Sequence, residues 1–225
     1  DKIYLDAYKQ ISTPAGQRYP DVNDAINKRV NKGSLIINYV GHGGETGWAE
    51  ERVLTNDDIN SWTNINKLPV FITATCEFSR WDDPARTSSG EKILLSSTGG
   101  GVALFSTTRL VFASSNEVLN RALIKFMFDD PSFRLGDIMV ASKTDPGNLN
   151  LNTRNFSLLG DPALRLHYPK FSIEATQINA QPIIALNDTL SSLEKVTIAG
   201  RIVKGGQVQS DFNGFLYPTV YDKAS

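Results

Sequence analysis

The chain has one cysteine, Cys76, and two histidines, His42 and His167. A thiol and an imidazole are the nucleophile and proton carrier of cysteine-dependent acyl transfer. A free thiol has a pKa of ~8.5, so little thiolate exists at neutral pH without a base nearby. Both residues directly follow apolar runs. Leu35-Ile36-Ile37-Asn38-Tyr39-Val40 leads into Gly41-His42-Gly43-Gly44, and Val70-Phe71-Ile72-Thr73-Ala74-Thr75 leads into Cys76. Acyl transfer also needs hydrogen-bond donors for the oxyanion, and the backbone N–H groups of Gly43 and Cys76 are the candidates. Glycine at 43 lets a substrate carbonyl approach the backbone closely. A lone cysteine after a strand is also a common structural residue, and a His-Gly turn is equally ordinary. On spacing alone the catalytic and structural readings both stay open.

The elements that must position this pair alternate along residues 1–168. The spacing predicts helices over Asp21–Lys32, Thr55–Trp62, Ser89–Ser97 and Leu135–Lys143, and a longer one capped by Ser114 or Ser115. Strands are expected at Asp1–Asp6, Leu35–Val40, Val70–Thr75 and Val102–Phe105. Long apolar strands separated by helices indicate an α/β domain with a mostly parallel sheet flanked by helices. In such a sheet, ligands bind beyond the carboxyl ends of the strands. If the His42 and Cys76 strands are neighbours, both side chains leave the same sheet edge into one cleft. From 169 to 225 the pattern changes to period two, as in Phe171–Ala175 and Val196–Val203, with a further strand expected over Phe215–Tyr221. This is read as the start of an all-β segment.

Composition narrows the function classes. With 23 basic and 24 acidic residues, a net charge of −1 and no long basic run, nothing argues for nucleic acid or an anionic membrane surface as partner. One cysteine excludes a disulfide framework and a multi-thiolate zinc site. No apolar run reaches the ~18–20 residues of a membrane span. No signal peptide opens the chain, which is expected if it starts inside a larger precursor.

The two blocks, one ending in His-Gly and one in a residue plus Cys, resemble the caspase-like cysteine peptidases of clan CD. The string Gly41-His42-Gly43-Gly44-Glu45-Thr46-Gly47-Trp48-Ala49 is similar to the gingipain branch, as is Phe156-Ser157-Leu158-Leu159-Gly160-Asp161-Pro162-Ala163-Leu164-Arg165-Leu166 near the end of its catalytic domain. The resemblance covers residues 1–168. The tail, including Val220-Tyr221-Asp222-Lys223, is similar to the immunoglobulin-like region that follows such domains. Within the branch the chain looks closest to the surface sortases of the type IX secretion system of Bacteroidota. The resemblance implies a caspase-like fold that lacks its upstream strands here. It implies His42 and Cys76 as the catalytic pair, Gly43 and Cys76 as oxyanion donors, and Glu45 as a candidate for orienting the imidazole or capping the loop. It also implies protein substrates with C-terminal secretion signals, an amine on anionic lipopolysaccharide as acceptor, and other secretion-system surface proteins as partners. The location implied is secreted, on the outer-membrane surface of a Gram-negative bacterium. Thr75 departs from the family pattern, which often has a smaller residue before the nucleophile.

Trp48, Trp81, Thr107 and Thr108 are candidates for the substrate cleft, against loop packing as the alternative. Asp82, Asp83 and Asp161 are oxygen donors suited to calcium, but their spacing fits no EF-hand loop, so no cofactor is expected. A metal-dependent hydrolase using His42 and Glu45 lacks the imidazoles that zinc usually requires. A non-catalytic scaffold or adhesion module is the main alternative to an enzyme.

Overall fold

The computed structural model describes residues 1–185, 190, 193–216 and 218. The chain divides into two compact units, Asp1–Leu166 and a second beginning at His167.

The first unit opens with coil and a 3-10 turn at Leu5–Ala7, where a strand was expected. Ile3 and Leu5 pack against the core from this irregular segment rather than through a ladder. A short hairpin follows, β1 (Ile11–Thr13) and β2 (Gly16–Arg18). Helix α1 (Pro20–Lys32) starts on proline and buries Val22, Ile26 and Val30, as the periodicity predicts. Strand β3 (Ile36–Val40) leads to a small antiparallel sheet of β4 (Gly43–Gly44), β5 (Gly47–Trp48) and β6 (Leu54–Thr55). Helix α2 (Asn56–Ser61) then carries the chain to β7 (Val70–Ala74). Helix α3 (Ser89–Leu95) is capped by Ser88, one residue earlier than expected, because Glu91 closes a capping box on Ser88. After β8 (Ala103–Thr107), helix α4 (Ala113–Asp129) begins before Ser114 and has no side-chain cap of its own. The free N–H of Phe112 is instead taken by Asn152 Oδ1 at 2.7 Å. Helix α5 (Leu135–Thr144) and β9 (Phe156–Leu159) complete the unit.

The main sheet has the order β3-β7-β8-β9. The first three strands are parallel and β9 is antiparallel. Alternation along β7 and β8 divides the core in two. Phe71 and Leu104 join α1 on one face, with Trp48, Ile59, Trp62 and Ile93. Val70, Ile72, Ala103 and Phe105 join Leu119, Leu123, Met127, Leu135 and Ile138 of α4 and α5 on the other. The unit is thus a three-layer α/β/α sandwich. Both faces of β7 and β8 are wholly buried, whereas β3 is only partly covered. Among the described residues β3 pairs with β7 alone and forms an edge of the sheet.

The second unit is antiparallel, in the order β11-β10-β12-β13, with β10 at Ser172–Ile178, β11 at Gln181–Pro182, β12 at Ile198–Lys204 and β13 at Gln207–Val208. Most of the expected Phe215–Tyr221 strand, and all of Val220–Lys223, lie outside the described residues. Among the described residues no helix is long and apolar enough to cross a membrane.

Candidate active site

Strands β3 and β7 are paired in parallel with Val40 opposite Ala74. The pairing extends one step further, where Gly41 N–H donates to the Ala74 carbonyl at 3.5 Å. His42 and Cys76 therefore leave neighbouring strands at equivalent positions, on strands ~4.8 Å apart. The sequence dictates this through β-branched, apolar strands and a crossover containing α2.

The backbone at His42 is held from two sides. Its carbonyl accepts from the Tyr39 hydroxyl at 2.6 Å and from Ala49 N–H at 2.8 Å. The Tyr39 ring stacks on Trp48 with centroids 4.3 Å apart. Burial pushes the Tyr39 phenol far above its ordinary pKa, so it stays a donor. In the β4–β5 hairpin, Gly43 lies opposite Trp48 and Gly44 opposite Gly47. Since Ala49 donates to His42, the His42–Ala49 pair is a bonded one and the next pair, Gly43–Trp48, is not. The Gly43 N–H thus points away from its hairpin partner. A side chain at 43 would stand 2.7 Å from Thr75 Oγ1 and 2.9 Å from the Gly47 carbonyl, so only glycine fits.

On the other side, Cys76 sits in backbone fastened to β8 and the loop after it. The Thr107 hydroxyl donates to the Thr75 carbonyl. Glu77 N–H donates to the Arg109 carbonyl at 3.3 Å, and Ser79 N–H to the Thr107 carbonyl at 2.9 Å. Beneath them runs a buried hydroxyl chain in which Thr73 and Ser79 both reach Ser106, at 2.6 and 2.7 Å. Glu77 takes a left-handed φ of 48°, which turns the chain sharply after the cysteine. The half-buried Cys76 thiol donates weakly to the Val111 carbonyl at 3.6 Å. Among the described residues no hydrogen bond joins it to the exposed His42 imidazole. A cavity of about 550 Å³ opens beside His42, with Gly43, Thr46, Arg52 and Asp57 in its lining.

The remaining expected residues divide sharply. Glu45 faces arginines and not the imidazole. Arg80 Nη1 donates to its Oε1 at 3.0 Å, and Arg86 Nε lies 3.2 Å from its Oε2. The Arg86 contact is an ion pair whose angles fall outside hydrogen-bond geometry, so Oε2 has no hydrogen bond. Trp48 is 2% exposed and belongs to the core, because its stacking on Tyr39 turns it inward. Its remaining exposed edge lines the groove that runs from β3 to His42. Thr107 is fully buried and used by Thr75, so it leaves the cleft. Thr108 is tied to Asn155, whose carbonyl accepts its N–H at 2.8 Å and its hydroxyl at 3.2 Å. Trp81 is 57% exposed. Asp82 is held by Arg109, a contact that lowers its carboxyl below the usual range. Asp83 and Asp161 accept from Ala85 N–H and Ala163 N–H in local turns. The described residues contain no cluster of three or more metal-ligating side chains.

Arg80, Arg86 and the orphaned Thr75 hydroxyl were not picked out by sequence reasoning. A signal existed in the charge alternation Glu77, Arg80, Asp83, Arg86, whose i,i+3 pairs meet at 3.9 and 3.8 Å. No sequence signal marked Thr75 Oγ1, which is buried without a partner.

The first unit is thus a mixed α/β domain with an imidazole and a thiol at equivalent strand ends. Residues 1–167 match the family model described as Peptidase family C25, and the chain belongs to that family. No curated protein matches. Two similar solved structures share the fold. One is the complex of Porphyromonas gingivalis RgpB pro- and mature domains, with a TM-score of 0.57 and 18% identity, covering 83% of this chain and 49% of that one. The other is the Arg-specific cysteine proteinase gingipain R, with a TM-score of 0.53 and 19% identity, covering 83% and 48%. The chain thus spans about half the length of the solved structures it resembles.

Proposed function

We propose that this chain carries the acyl-transfer site of a gingipain-like cysteine endopeptidase or transpeptidase. Its thiolate at Cys76 attacks a peptide carbonyl, and His42 passes the thiol proton to the leaving amine. The resulting thioester is resolved by water or by an amine, and the N–H groups of Gly43 and Cys76 receive the oxyanion. The observation that supports this reading above others is the β3–β7 register, which puts His42 and Cys76 at equivalent strand ends. Membership of family C25 supports the peptidase class.

The finer reading rests on likeness to PorU, the type IX secretion sortase. The substrates are cargo proteins with C-terminal secretion signals, and the acceptor is an amine on anionic lipopolysaccharide. The site of action is the outer surface of a Gram-negative cell, beside other proteins of the secretion machine. The second reading is a non-catalytic scaffold, and it is favoured by the Cys76 thiol resting on the Val111 carbonyl.

Cells carrying full-length Cys76→Ala separate the two. Unprocessed cargo is expected to accumulate, and normal processing would sink the enzyme reading. Thiol-directed labelling of Cys76 that weakens on His42→Ala is expected alongside.

A further inference from the structure

We propose that Glu45, Arg80 and Arg86 form an ionic brace between the histidine hairpin and the cysteine loop, making Glu45 a positioning residue for the Gly43 N–H. This inference rests on the peptidase reading above.

Glu45 sits at the turn of the β4–β5 hairpin, two residues after Gly43. Its partners come from the loop after the nucleophile, 35 residues away in sequence for Arg80. The Glu45 side chain is only 11% exposed. Burying a carboxylate is expensive, and an apolar residue of similar size would usually stabilise the fold as well or better. What an ion pair supplies is direction. The charge-assisted bond from Arg80 to Glu45 fixes both partners in distance and angle, and Arg86 adds attraction without a fixed angle. The same turn is fastened a second time, where Ser89 N–H donates to the Glu45 carbonyl at 2.7 Å.

The hairpin needs such fastening. It has two residues per strand, and a ladder that short holds little shape by itself. Displacement at Glu45 therefore passes directly to Gly43. Little room is left at the far end, where a Cβ on residue 43 would stand 2.7 Å from Thr75 Oγ1, next to the nucleophile. The brace sets where one oxyanion donor stands relative to Cys76. It touches neither the thiol nor the imidazole, so it leaves their proton chemistry alone.

That separation gives the test. Alkylation of a thiol by iodoacetamide needs only the thiolate, whereas acylation by p-nitrophenyl acetate passes through a tetrahedral oxyanion. In full-length Glu45→Gln, acylation of Cys76 is expected to slow on the order of 10²-fold, the usual cost of misplacing a reacting geometry by about 1 Å. Alkylation should stay within about twofold of wild type across pH, because thiolate supply is unchanged. Equal losses in both reactions, or no loss in either, would overturn the brace. If Glu45→Gln does not fold, the double variant Arg80→Gln/Arg86→Gln must show the same split, and its absence there counts equally against the proposal. Wild-type protein that alkylates but does not acylate would instead defeat the peptidase reading, and the brace with it.

Discussion

Thr75 carries a hydroxyl that reaches neither solvent nor a partner, one residue before Cys76. A buried, unsatisfied hydroxyl costs free energy. Thr75→Val keeps the shape and removes the unmet polar group. It is expected to raise stability by about 1 kcal/mol in urea unfolding, and a loss of stability would show that the hydroxyl is bonded after all. At this scale the sequence was informative about position and poor about partners. The placement of His42 and Cys76 just past two neighbouring strand ends was legible because each follows an apolar run read as a strand. The engagement of Glu45 by Arg80 and Arg86 was not, since those arginines reach it through an irregular loop whose path no periodicity describes.

Among the elements, α2 illustrates what local signals do carry. Thr55 followed three residues later by Asp58 has the spacing of a capping box, and the structure forms it. What the sequence did not disclose is that Asp58 also accepts from Asn23 at 3.0 Å and Asn27 at 3.0 Å, joining α1 to α2. The two residues should therefore differ. Thr55→Ala is expected to cost about 1 kcal/mol, the usual value of a lost N-cap. Asp58→Ala should cost more, roughly 2 kcal/mol, because it also removes one acceptor from each of two part-buried amides, Asn23 keeping only the Val53 carbonyl and Asn27 only Asn23. Denaturant unfolding of both variants checks this, and equal losses would show that the α1 contacts contribute nothing. The strands teach a related lesson. β7 and β3 have similar letters, but only β7 is buried on both faces, since burial depends on neighbours and not on the strand itself.

For the whole molecule, the exposed side of β3 dominates. Val40 is 58% exposed there, and a groove of about 780 Å³ lined by Ile3, Leu5, Ile36 and Tyr39 runs beside it. An unpaired, partly apolar strand edge is a template for pairing. The 225-residue polypeptide on its own is expected to self-associate reversibly in sedimentation, and Val40→Lys should return it to monomer. A wild-type monomer would show that this edge does not pair. The α/β class was legible from alternation of strands and helices. The edge status of β3 was not, because a strand's neighbours lie far off in the chain. The β3–β7 ladder also has a practical use. It is the pairing, and not the length of the intervening chain, that sets His42 opposite Cys76. The exposed turn at Ile65 and Asn66 is therefore a natural splice point for an epitope or a fluorescent reporter, one that lengthens the crossover while leaving the two ends of the reaction in step.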